Sequence, residues 1–248
     1  MKGRLDVYGA TPDLARGAAE RITVLLNDAI TSRGVSSFAL SGGSTPRAVY
    51  EFLGSDEFRL RVDWNRVHLF WGDERCVPQS MLESNYRMVN EALLTKVSIR
   101  ESNVHRIEGE QKPKDAAMAY EQEIKQLFEL KKGQLPEFDV MLLGIGEDGH
   151  TASLFPGSAA IQEQTRLVLE VHVEQFSADR ITMTFAVINN AVNVLVLVSG
   201  RSKASIFQKV LEEENHLYPA QLINPTSGHM HWFADIEAAS QLRTLPHL

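Results

Sequence analysis

The chain has 248 residues, 44% hydrophobic and 23% charged, a balance that supports a buried core and excludes the polar, highly charged composition of disordered chains. A formal charge of −7 excludes the broad basic footprint that nucleic acid or an anionic membrane surface requires, so neither is an expected partner and any anion site must be local. The single cysteine, Cys76, excludes an intrachain disulfide framework; with a start, Met1-Lys2-Gly3-Arg4-Leu5-Asp6, that lacks the apolar run of a signal peptide, it leads us to expect a cytoplasmic protein.

The elements read as follows in chain order. Thr11 to Arg33 carries apolar residues at helical spacing, Leu14, Ala18, Ile22, Leu25, Leu26 and Ala29, with Thr11 as N-cap and Pro12 at the first helical position. A short strand, Ser37 to Leu40, leads through a glycine pair into a second helical pattern opened by Pro46 and continued by Ala48, Val49, Phe52 and Leu53. The same alternation repeats. A strand at Val67 to Trp71 precedes a helix from about Ser84 to Leu94, and a helix at Pro113 to Leu130 precedes a strand at Phe138 to Leu143. Strands are then expected at Leu167 to Val173, Ile181 to Phe185 and Val192 to Val198, a helix at Ser202 to Leu211, and a last strand near Met230 to Phe233. The longest apolar stretch, Ala191 to Val198, contains Asn193 and falls far short of the roughly 20 residues that cross a bilayer.

Strands that alternate with helices and read as unbroken apolar runs imply an α/β fold with a mainly parallel sheet covered on both faces. No linker or fixed-period repeat divides the chain, so residues 1–248 are expected to form one domain. Ligands of such sheets bind outside the carboxyl ends of the strands.

Three loops at those ends carry chemistry. Ser41-Gly42-Gly43-Ser44-Thr45-Pro46 joins strand to helix, with glycines that admit an anion to the backbone, two hydroxyl side chains in Ser44 and Thr45, and a helix N-terminus beyond; it fits a phosphate cradle and equally an ordinary tight turn. No Gly-Lys-Ser/Thr follows, so it is not a Walker loop. Trp71-Gly72-Asp73-Glu74-Arg75 sets two carboxylates beside a guanidinium, where Asp73 is placed to orient Arg75 or to hold a water, or where the cluster is simply solvated. Cys76 beside it reads as a small buried residue, since no histidine lies nearby in the sequence.

The run Gly144-Ile145-Gly146-Glu147-Asp148-Gly149-His150-Thr151-Ala152-Ser153-Leu154-Phe155-Pro156-Gly157 is the richest. Its start fits G-x-G-x-x-G, with Glu170 near the distance of a ribose-binding acid, but a crossover helix from Gly149 would meet Pro156-Gly157 after about two turns. A short helix with an exposed His150 at its start is expected instead. Asp148 and His150 bracket Gly149, and an imidazole titrates near neutrality, so His150 is the candidate general base. His229 and His231 alternate along a strand without a third ligand pattern. Arg180, at the start of a strand, and Lys203, in Ser199-Gly200-Arg201-Ser202-Lys203-Ala204, read as further cations that reach a shared anion or as solvated surface charges.

Taken together, the Ser41 to Pro46 loop, Trp71 to Pro78 with Ser84-Asn85-Tyr86, Gly144 to Gly157, Arg180-Ile181-Thr182 and Gly200 to Ala204 closely resemble the 6-phosphogluconolactonases over nearly the whole chain. The resemblance implies a modified Rossmann-like three-layer sandwich and a metal-free, cofactor-free hydrolase that converts 6-phospho-D-glucono-1,5-lactone to 6-phospho-D-gluconate in the pentose phosphate pathway, acting as a monomer or weak homodimer. It implies His150 as general base; Asp148 and Asp73 are expected beside it as further catalytic residues. By the same resemblance Ser41, Gly42, Gly43, Ser44, Thr45 and Lys203 hold the phosphate, and Arg75 and Arg180 contact the substrate. Two other readings stand beside it. An amino-sugar-phosphate isomerase or deaminase carries a Glu where this loop has Phe155, and a non-catalytic sugar-phosphate sensor would ordinarily add a helix-turn-helix extension.

Overall fold

A computed structural model describes residues 3–174 and 177–243. In chain order it contains β1 (Arg4–Tyr8), α1 (Thr11–Arg33), β2 (Ser36–Leu40), α2 (Ser44–Leu53), β3 (Val67–Trp71), β4 (Asp73–Arg75), α3 (Asn85–Ala92), β5 (Val104–His105) and α4 (Pro113–Leu127). There follow β6 (Val140–Gly144), β7 (Val168–Val173), β8 (Ala178–Met183), α5 (Phe185–Ile188), β9 (Asn193–Val198), α6 (Ala204–Glu212) and β10 (His229–Asp235). Seven strands form a parallel sheet in the order β1-β10-β9-β6-β2-β3-β5. Every residue of β2 and of β9 is buried, which requires cover on both faces of the sheet, since successive side chains point to opposite sides. The helices supply that cover and complete the layered α/β sandwich. Trp71, Trp232, Phe38, Phe70 and Phe207 are fully buried in its core, where removing a side chain such as Phe70 or Trp232 would cost about 3–5 kcal/mol. Among the described residues no helix is long and apolar enough to cross a membrane.

A second sheet was not legible in the sequence. β4, β8 and β7 pair antiparallel in the order β4-β8-β7. It is tied to the main sheet through Gly72, whose N–H donates to Leu40 O and whose carbonyl accepts from Met183 N, each at 2.8 Å.

Several expected boundaries shift for identifiable reasons. Ala10, not Thr11, caps α1: the Ala10 carbonyl accepts from Leu14 N, while the Thr11 hydroxyl donates to Asp235 Oδ2 at 2.9 Å and is unavailable to the helix. Helix α2 begins at Ser44, with Pro46 inside the first turn, where its missing N–H costs nothing. The strand expected to reach Phe185 stops at Met183, because β7 begins opposite at Val168; beyond one further bond, Thr184 N to Leu167 O, no partner remains, and Phe185 enters α5. Arg180 accordingly lies inside β8 rather than at its start. No helix follows Gly149. Residues 146–158 turn back on themselves through an isolated bridge, Thr151 to Leu154, and His150 is half-buried rather than exposed.

Candidate active site

In the main sheet the chain winds outward from β2 to β3 in one direction and from β6 to β9 in the other, so the topological switch point lies between β2 and β6. A cleft of about 220 Å³ opens there. Ten of the residues singled out from the sequence line it: Ser41, Gly42, Gly43, Ser44, Thr45, Asp73, Arg75, His150, Arg180 and Lys203. Asp148 lies behind His150, outside the lining.

The cradle is built largely from backbone. As β2 ends, the Tyr50 hydroxyl of α2 accepts from Ser41 N at 2.8 Å and donates to Ser41 O at 2.9 Å, which fixes the peptide that leaves the strand. Tyr120 does the same for Trp71 at the end of β3, at 2.8 and 3.1 Å. Burial pushes both phenols well above their usual range, so they remain neutral and able to donate. The first N–H groups of an α-helix have no acceptor within the helix. In α2 the first to bond back is Arg47 N, to Gly43 O, which leaves the first-turn amides of Ser44 and Thr45 to the mouth of the cleft. Across it, the Thr45 and Ser199 hydroxyls lie 3.0 Å apart. Lys203 enters from a 3-10 turn, Arg201–Lys203, whose entry is fixed by Asp235: both carboxylate oxygens accept from Gly200 N at 3.0 Å. Among the described residues no carboxylate pairs with the Lys203 ammonium.

The imidazole is held differently. Gly149 has φ +80°, a backbone few other residues adopt, and this turn brings Asp148 and His150 together. The Asp148 Oδ1 accepts from His150 N at 3.1 Å and lies 2.6 Å from His150 Nδ1. Partial burial pushes the Asp148 carboxyl up, but the His150 amide and imidazole outweigh it and hold it below the usual range. An ionised carboxylate only accepts, so Nδ1 carries a proton, and in the neutral imidazole Nε2 is then the nitrogen with the lone pair. Behind the ring, a Cβ on residue 146 would overlap His150 Nδ1; only glycine leaves the space. Phe155 packs on the other side, its ring 4.3 Å from His150 and 5.5 Å from the Arg180 guanidinium.

Arg75 and Arg180 are register partners in the antiparallel pair of β4 and β8. Like charges opposite each other destabilise a sheet, and both face the cleft, so the pair marks a place that favours an anion. Burial, then the charge of Arg75, pulls Arg180 down from its usual value. One of the sequence readings of this cluster has Asp73 orient Arg75. It does not: the Arg75 guanidinium donates to Glu83 O, whereas Asp73 Oδ2 accepts from Ser153 Oγ at 2.7 Å and ties β4 to the His150 loop. Cys76 is half-buried, and burial followed by Asp179 and Glu74 pushes its thiol up to about 11.

Other sequence candidates lie elsewhere. Glu170 sits in β7 and lines a separate groove with His172, so it has no part in a dinucleotide fold here. His231 is buried toward the opposite end of β10 from the cleft, 2.9 Å from Asp6 Oδ2, with its ring tilted against that of Phe233. Sequence reasoning quoted Ser199, Asn85 and Ser153 within motifs but gave them no role, and missed Asp235; all four support the site through contacts far apart in the chain.

The fold and cleft define an α/β sandwich that gathers a glycine-rich loop, three basic side chains and one imidazole at the switch point of a parallel sheet. Residues 10–232 match the family model described as glucosamine-6-phosphate isomerases/6-phosphogluconolactonase, and the chain belongs to that family. It is 37% identical over 246 residues to a 6-phosphogluconolactonase of Synechocystis sp., covering 98% of this chain and 100% of that one. A 6-phosphogluconolactonase of Treponema pallidum is 36% identical over 205 residues, covering 83% of this chain and 84% of the relative. Among solved structures, 6-phosphogluconolactonase from Trypanosoma cruzi superposes with a TM-score of 0.88 at 29% identity, covering 98% of each chain.

Proposed function

We propose that this chain hydrolyses 6-phospho-D-glucono-1,5-lactone to 6-phospho-D-gluconate, the lactonase step of the pentose phosphate pathway, as a single cytoplasmic domain that acts as a monomer or weak homodimer. One observation supports this most: His150, oriented from behind by Asp148, and an anion cradle with Lys203 line the same cleft. The names of the relatives agree with it.

In this reading the phosphate docks on the amides and hydroxyls of Ser41 to Thr45 and on Lys203, and binding energy from that remote group orients the lactone. Nε2 of His150 takes a proton from water, which adds to the lactone carbonyl carbon. The oxyanion draws on Arg75 and Arg180, and the imidazolium returns its proton to the ring oxygen as the ester bond breaks. Asp148 steadies the imidazolium throughout. Asp73 has no proton to move in this sequence; it keeps β4 and the His150 loop in register through Ser153. Phe155 cannot relay a proton, which counts against the deaminase reading.

The test is acid release from freshly prepared lactone, followed by titration against the spontaneous background. Acceleration far above that background is expected. Fructose 6-phosphate and ammonia formed from glucosamine 6-phosphate would hand the case to the deaminase reading, and binding of both sugars without turnover would favour a sensor.

A further inference from the structure

We propose that Glu74 is a positioning residue for the anion end of this site, acting through Asn85 and the backbone of Arg75; the proposal rests on the lactonase reading above. Alternation along β4 puts Asp73 and Arg75 on the cleft and Glu74 on the opposite face, where it is 2% exposed. Burying a carboxylate is costly unless its oxygens are fully bonded, and a strand has no need of one. Among the described residues no cationic side chain bonds it. Oε1 accepts from Arg75 N at 2.8 Å and Asn85 N at 2.7 Å, while Oε2 accepts from Ser84 Oγ at 3.0 Å and Tyr86 N at 2.8 Å. Three of the four donors come from the segment that starts α3, and the fourth is the amide of Arg75 itself.

The consequence lies one residue further on. With its amide held by Glu74, Asn85, 1% exposed, turns its side chain between β4 and the glycine loop. Nδ2 donates to Asp73 O at 2.8 Å, and Oδ1 occupies the space that a Cβ on Gly42 would take. Gly42 is therefore a glycine because Asn85 stands behind it. The same segment supplies Glu83 O to the Arg75 guanidinium. A single carboxylate outside the cleft thus sets both the height of the cradle and the placement of Arg75. None of its four bonds reaches the His150 loop, so its loss should act on substrate binding and leave proton transfer alone.

Kinetics of the lactone, the affinity for 6-phosphogluconate and the melting temperature of Glu74→Gln and Asn85→Ala test this. The glutamine sets an NH2 against two donors, so KM and the product Kd should rise about tenfold or more, while kcat, lowered only through the shift of Arg75 at the oxyanion, falls by less. Asn85→Ala keeps its amide bond to Glu74 but loses both the packing behind Gly42 and the bond from Nδ2 to Asp73 O; a rise of about fivefold in KM and Kd is expected. Folded variants with a lower melting temperature but unchanged KM and Kd would overturn the proposal and make Glu74 merely structural. A fall in kcat with KM unchanged would overturn it too. If Glu74→Gln does not fold, Asn85→Ala alone decides. An inactive wild type would end only the lactonase reading, because the Kd comparison still reads the clamp.

Discussion

The Ser41–Thr45 loop passes from a fully buried strand into a ten-residue helix and offers its ligand mainly backbone, whereas the loop from Gly144 to Gly157 leaves its strand, forms no helix and offers one side chain. The first takes its shape from the elements it joins and from Tyr50 holding Ser41. The second takes its shape from Gly146, Gly149 and the Asp148–His150 pair. Binding through peptide groups tolerates side-chain change, while catalysis through one imidazole depends on atoms within a few tenths of an ångström of their place. Substitutions in the two loops should therefore differ in size and in the kinetic constant they move.

The largest effect is expected from His150→Ala, which should lower kcat by roughly 10²–10⁴-fold in a steady-state lactone assay. Gly146→Ala attacks the same loop from behind: the added methyl displaces the ring, and kcat should fall on the order of 10²-fold although no catalytic atom is removed. In the cradle, Ser44→Ala should change KM by less than about threefold, since the amide that it keeps does most of the binding. A kcat effect of Ser44→Ala equal to that of Gly146→Ala would erase the distinction between the loops. Lys203→Ala removes a charge rather than a hydroxyl, so KM should rise about 10–100-fold with kcat nearly constant.

Smaller effects follow from titration. The Asp148 carboxyl lies below its ordinary 3.8 in the folded chain. Its contribution to stability is thus complete above that value and is lost as pH falls through the lower, folded one. Acid unfolding of Asp148→Asn, followed by circular dichroism, should lose less stability than wild type below about pH 4. Cys76, at about 11 against an ordinary 9.0, should react with a thiol reagent at pH 8 on the order of a hundredfold more slowly than a free thiol. Fast labelling would show that the β4 end of the cleft opens.

Much of this was legible in the sequence. β3 was placed residue for residue and β9 to within one, because the apolar runs of Val67 to Trp71 and Val194 to Val198 have one reading in a buried sheet. Most of the cleft lining was legible because its members sit at or just beyond strand ends; Arg180, inside β8, is the exception. What failed depends on contacts between distant residues. β1, with Arg4 and Asp6 among its five residues, is stabilised as an edge strand by pairing with β10, and β4 is three residues that only β8 makes a strand. Pro156-Gly157 correctly excluded a long helix after Gly149, but nothing local revealed that Ser153 would be drawn to Asp73 and the loop left without a helix at all. Glu74 read as part of a solvated charge cluster, and nothing local showed that the Asn85 amide, eleven positions along the chain, would bond to it.

The division of labour between the loops is tested most directly by the affinity of His150→Ala for 6-phospho-D-gluconate, measured by titration calorimetry beside wild type. A Kd within about threefold of wild type is expected, because the cradle and Lys203 are untouched. A Kd raised as far as kcat falls would mean that His150 holds the ligand rather than activates water, and would contradict the lactonase mechanism.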